Sequence, residues 1–170
     1  MHSAVALSRT GVSWSAQEVD LDDIETLDDL IDQLDDFDSG NDEDVTVVYV
    51  EEDDEWLGVL RVTAETLQDP KIFLSDSRVL ATSTLAERLF GDALPVLPPE
   101  EDEEDEEDED TAGRPDAEPI GDPELLADLG TPGDVLVELC AEEGALPSDV
   151  VAALCERAGC LDVLDELRGA

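Results

Sequence analysis

Chemistry in this chain would have to come from its carboxylates, its three thiols or its one imidazole. There are 49 Asp and Glu residues among 170. At that density pairs fall at acid–base spacing throughout, so spacing singles out none of them and a solvated acidic face accounts for them. The only histidine, His2, lies beside the first residue, where nothing can orient it against a serine or cysteine nucleophile. Cys140, Cys155 and Cys160 include no C-x-x-C pair, and a zinc site would still need a fourth ligand. An odd number of cysteines without a secretion signal does not describe a disulfide framework, so the three read as small buried hydrophobes. No glycine-rich phosphate loop occurs. The calcium-like stretch Asp35 to Thr46 puts Phe37 and Ser39 where ligands belong and Thr46 where the bidentate glutamate should stand, so it fails as an EF-hand. No catalytic residue, metal or cofactor is called for.

Charge points elsewhere. Eight Lys and Arg against 49 acids give a formal net charge of -41. Phosphate contacts need clustered cations, so direct binding to nucleic acid or an anionic membrane is not expected. A basic protein partner is expected instead, attracted over a Debye length of about 8 Å in cell-like salt. The first 15 residues lack the apolar core of a signal peptide, and no run approaches the ~18 apolar residues of a membrane span. The expected location is cytoplasmic.

Composition divides the chain into three zones: 1–94 with 24 acids and 5 bases, 95–121 with 13 and 1, and 122–170 with 12 and 2. In the first, Ser3 to Arg9 and Val12 to Val19 read as strands around Thr10-Gly11. From Ile24 the period changes, and Ile24, Leu27, Ile31, Leu34 and Phe37 mark an amphipathic helix. Val45 to Glu51 and Trp56 to Val62 form a hairpin, Lys71 to Leu74 a fifth strand, and Ser77 to Phe90 a second helix capped by Asp76 or Ser77. Gly58, inside a strand, marks a bulge or a close backbone approach. The expectation is an α+β domain over 1–94, a five-stranded antiparallel sheet with covering helices in the order ββαβββα.

The second zone, 95–121, is Pro-rich and then acidic without interruption, and should be a disordered linker. The third, 122–170, reads as a small all-α subdomain with helices over Pro123 to Leu129, Asp134 to Glu143, Ser148 to Ala158 and Leu161 to Leu167, punctuated by Gly130, Gly144 and Gly159. Its core would come from Leu136, Leu139, Cys140, Val151, Leu154, Cys155, Val163 and Leu167. At about 49 residues it is near the lower limit for standing alone, so docking on the first domain or on a partner is open.

Candidate partner-binding residues follow from charge and aromaticity. They are the linker acids Glu100, Glu101, Asp102, Glu103, Glu104, Asp105, Glu106, Glu107, Asp108, Glu109 and Asp110, and the hairpin tip Glu52, Asp53 and Asp54 with Trp56. For Trp56, as for Trp14, core packing on a strand is the ordinary explanation and partner contact the alternative.

Three segments of the first zone then carry a resemblance: Leu21-Asp22-Asp23-Ile24-Glu25-Thr26-Leu27-Asp28-Asp29-Leu30, the run from Val50 through Glu55-Trp56-Leu57-Gly58 to Val62, and Asp69-Pro70-Lys71-Ile72-Phe73-Leu74-Ser75-Asp76. Together with Gly121-Asp122-Pro123-Glu124-Leu125-Leu126-Ala127-Asp128-Leu129-Gly130 and Leu139 to Val150, the chain resembles the actinobacterial family of tRNA adenosine deaminase-associated proteins. The resemblance implies an accessory or adaptor role beside the tRNA-specific deaminase of wobble editing. It implies no active site, and zinc deaminases need H-x-E and P-C-x-x-C elements that this sequence lacks. The alternative is an independent acidic interaction or chaperone-like module for other basic proteins.

Overall fold

In the computed structural model, residues 2–10, 13–34, 45–52, 55–63, 71–76, 79–91, 119–141 and 146–169 are described. Strands β1 (His2–Thr10), β2 (Ser13–Val19), β3 (Val45–Glu52), β4 (Trp56–Thr63), β5 (Lys71–Leu74) and β6 (Ile120–Gly121) form one sheet in the order β2-β1-β3-β4-β5-β6. All five pairings are antiparallel.

The sheet has six strands, not five. The sixth lies in the stretch expected to be linker, where two residues between Pro119 and Asp122 carry no periodicity to read. Its place is fixed by backbone: the Asp122 N–H donates to the Ile72 carbonyl at 2.8 Å. Gly121 has φ 109°, and a Cβ there would stand 2.2 Å from the Ile72 carbonyl oxygen, so only glycine fits.

Strict alternation along the central strands buries both faces. Ala4, Ala6, Val48, Val50, Leu60, Val62, Ile72 and Leu74 point to one side. There they meet Leu30, Ile31 and Leu34 of α1 (Leu27–Leu34), Val79 of α2 (Val79–Thr82), and Leu85, Leu89 and Phe90 of α3 (Thr84–Phe90). Val5, Leu7, Val45, Val47, Tyr49, Leu57, Val59 and Phe73 point to the other. They are covered by Leu125, Leu126 and Leu129 of a 3-10 helix (Pro123–Leu129) and by α4 (Gly133–Ala141), α5 (Pro147–Ala158) and α6 (Leu161–Leu167), through Leu136, Val151, Leu154 and Leu164. Burial of both faces explains why Val47-Val48-Tyr49-Val50 is apolar at consecutive positions.

Two helical segments differ in make-up from expectation. The helix expected over Ser77 to Phe90 is two helices, because Ser83 adopts extended backbone (φ -109°, ψ 121°) and its Oγ accepts the Ala86 N–H at 3.1 Å. A serine that can cap from within a periodic run competes with helix continuation, and here it wins. Ser83 caps the second of these helices; Ser77, expected with Asp76 as the alternative cap of the first, lies outside the described residues. Pro123–Leu129 is a 3-10 helix begun by Asp122, whose Oδ1 accepts the Glu124 N–H at 3.0 Å. Gly130 (φ 96°) and Gly159 (φ 89°) end their helices in left-handed conformation, as their spacing predicts.

Candidate functional site

The β3–β4 hairpin end is built from its own turn outward. The Glu55 N–H donates to the Glu52 carbonyl at 2.9 Å. Register then sets Glu52 opposite Trp56 and Glu51 opposite Leu57. The Trp56 indole N–H donates to Glu52 Oε1 at 2.9 Å, and the Ser83 hydroxyl reaches the same oxygen at 2.5 Å. Glu52 thus ties the hairpin end to the cap of α3. Trp56 is 2 % exposed and meets Phe90 edge-on, with ring centroids 6.3 Å apart. It is a core side chain and offers no surface to a partner. Asp53, Asp54 and the run Glu100 to Asp110 lie outside the described residues.

Six of the eight cations are described, and each has a partner within the chain. Arg61, on the second face of β4, donates Nη1 to the Leu125 carbonyl at 2.6 Å and forms a two-pronged pair with Asp128, Nη2 to Oδ2 at 2.9 Å. Arg168 Nη2 meets Glu51 Oε2 at 2.9 Å, and Lys71 Nζ meets Asp122 Oδ2 at 3.4 Å. All three pairs join the sheet to the C-terminal segment. Arg88 Nη1 donates to the Ile24 carbonyl at 2.9 Å, and Arg157 Nε to the Gly130 carbonyl at 2.8 Å. The Arg9 guanidinium stands 5.7 Å from the centre of the Trp14 ring. The six described cations are structural, and the described surface has a surplus of acid.

The hydrogen bonds from Arg61 hold the Asp128 carboxyl below the usual carboxylate range, against a smaller opposing effect of burial. A depressed pKa contributes stability that is present above the ordinary value of about 3.9 and lost as pH falls through the folded value. Asp128→Asn is therefore expected to lower the urea midpoint at pH 7 and to match the parent chain near pH 2. Because Asp128 is largely exposed, the loss should be small, about 0.2–1 kcal/mol.

The thiols lie in or against the second core, with Cys155 and Cys160 buried and Cys140 partly so. Cys155, at the end of α5, and Cys160, which begins α6, are 0 % and 1 % exposed. A thiol–thiol hydrogen bond with Cys160, followed by burial, pushes the Cys155 pKa up. Burial alone pushes Cys140 up to about 12. Tyr49, beneath them on β3, is also raised, by burial first and then by the two thiols. Cys140, Cys155 and Tyr49 therefore stay neutral at physiological pH, while the same hydrogen bond from Cys155 lowers the pKa of the buried Cys160 thiol. Among the described residues, no cluster of three or more His, Cys, Asp or Glu could hold a metal ion. No helix there is long and apolar enough to cross a membrane.

The architecture is thus an acidic α+β protein, its sheet covered on both faces and its described cations engaged internally. The chain belongs to the family described as Rv3753c-like tRNA adenosine deaminase-associated protein, whose family model matches residues 2–161. No curated protein and no solved structure matches it.

Proposed function

We propose that this chain is a non-catalytic adaptor that binds a basic surface of the tRNA adenosine deaminase in the cytoplasm and so serves wobble editing of tRNA. The observation that carries the reading is membership of a family described as deaminase-associated rather than as a deaminase. The sequence agrees with that division of labour: His2 is followed by Ser3-Ala4, so no H-x-E exists, and no C-x-x-C pair exists either. Charge supplies the physical means. A protein at -41 whose described cations have internal partners presents acid to whatever approaches, and a surface shaped to hold tRNA phosphates is the complementary kind. Contacts would come from the run Glu100 to Asp110 and the hairpin tip at Asp53 and Asp54.

Purified chain and deaminase, mixed at low and at moderate ionic strength, test this. A complex is expected at low salt and should weaken about tenfold or more at moderate salt, as screening shortens the reach of the charges to about 8 Å. Deleting residues 100–110 should weaken the complex and flatten its salt dependence. Failure to associate at either ionic strength would sink the reading, and capture of other basic proteins in its place would favour an independent acidic module.

A further inference from the structure

The two edges of the sheet are unlike. β6 is two residues long and runs straight into Asp122-Pro123, so it ends itself. β2, at the other edge, has seven residues paired one to one with β1 from Ser13↔Thr10 to Val19↔Ala4, with no bulge. It contains no proline, lysine or arginine, and Ser13, Ser15, Gln17 and Glu18 are exposed. Among the described residues the edge has no proline, lysine or bulge to protect it, Glu18 is its one charge, and α6 packs against β2 through the face that carries Trp14 and Ala16. In an antiparallel ladder about half of its residues aim both N–H and C=O outward. Among the described residues no strand pairs with that side.

Arg9 of β1 stands over Trp14 near the start of β2, and toward the other end of the strand the charge is acidic. Residues 11–60 hold 19 acids and no Lys or Arg. At the end of β2 a hollow of about 350 Å³ is lined by Ser3, Glu18, Asp20 and Asp22 together with the apolar Ala4, Val19 and Leu21. Its wall is held by backbone: Asp20 Oδ1 accepts the Asp22 N–H at 2.9 Å, and the Asp20 carbonyl accepts Gln33 Nε2 at 3.3 Å.

We propose that the outer edge of β2 is a docking site for an extended, basic segment of a partner protein, which adds to the sheet as a seventh strand and sets a lysine or arginine into the acidic hollow. The backbone edge specifies the conformation of the occupant, and the carboxylates specify its sign. A second copy of this chain, or its own run of acids at 100–110, would bring like charge to the same place and be repelled. The proposal rests on the reading above only in nominating the deaminase as the source of the segment.

The full chain is tested by amide hydrogen exchange across Ser13–Val19, first alone, then with the deaminase, and then with a synthetic peptide of alternating lysine and threonine. A control peptide carries proline in place of threonine, which keeps the charge but forbids a ladder strand. Expected is at least tenfold slower exchange of the outward amides with the deaminase and with the Lys-Thr peptide, and at least tenfold weaker binding of the Lys-Pro peptide. Ser15→Lys with Gln17→Lys, both at exposed positions, should leave folding unchanged and abolish the protection. A deaminase complex that leaves β2 exchange unaltered overturns the edge proposal while the adaptor reading stands. Protection by the Lys-Thr peptide without a deaminase complex does the reverse. Equal binding of the two peptides reduces the site to plain charge attraction and overturns the proposal.

Discussion

A chain ending at Leu94 is expected to lose cooperative unfolding altogether, although it retains strands β1 to β5 and helices α1 to α3. The shortened sheet would keep the cost of ordering Val5, Leu7, Val45, Val47, Tyr49, Leu57, Val59 and Phe73 but lose what covers them. Burying one such side chain contributes about 1.5–3 kcal/mol, an upper figure because unfolded chains already hide part of their surface. Eight of them together rival or exceed the net stability of about 5–15 kcal/mol typical of a whole domain. Removing residues 95–170 also removes the entropy of ordering the C-terminal helices, but that saving does nothing for the sheet left behind. The three ion pairs from Arg61, Lys71 and Arg168 would be severed by the same cut. The full chain should unfold in one sigmoidal urea transition by circular dichroism. The 1–94 chain should bind a hydrophobic dye and unfold without a transition. A sharp transition in the 1–94 chain would mean that the two segments are energetically separate despite their shared core.

This two-sided burial was partly legible in the sequence. Several elements decided by one local signal agree: β5 is Lys71–Leu74 and α6 is Leu161–Leu167 as the spacing predicts, and β3 and β4 each extend one residue further, whereas α1 begins at Leu27 rather than at Ile24, which sits in the turn before it. The apolar run Val47-Val48-Tyr49-Val50 carried a second message. A sheet wetted on one side alternates, whereas this one must be covered on both, and the helices beyond the acidic run are the cover. Three features had no comparable local signal. β6 is held by Ile72, 49 positions before Gly121, and the break at Ser83 depends on a cap that the surrounding periodicity masks. Pairs such as Arg61 with Asp128 join residues 67 positions apart, and no local pattern announces them. For the candidate contacts, Trp56 and Glu52 lay on a hairpin whose register could be read. That Glu52 would face inward to the indole and to Ser83 follows from the placement of α3, which strand pattern does not encode.

Gly58 carries the second large effect, and it settles which of two meanings a strand glycine has here. The ladder runs through it unbroken, with Val50 opposite on one side and Leu74 on the other, so there is no bulge. It permits a close approach instead: a Cβ at residue 58 would stand 2.9 Å from Phe90 Cε2, 3.1 Å from Phe90 Cζ and 3.2 Å from Leu74 Cδ2. Alanine has the better strand propensity, yet the ring of Phe90 is 0 % exposed, packed edge-on against Trp56, and has little room to yield. Overpacking should therefore win. Gly58→Ala is expected to destabilise by about 1–3 kcal/mol, and Gly58→Val, which adds two more methyl groups at the same point, by more than Gly58→Ala. The cause can be isolated by a double-mutant cycle with Phe90→Leu, which removes the ring the new Cβ strikes. Phe90→Leu alone should destabilise by leaving a void, and in combination with Gly58→Ala the two losses should sum to less than their separate values by about 0.5–3 kcal/mol. Additive losses in urea melts would show that the ring is not what the glycine accommodates, and Leu74 would then be the contact to relieve.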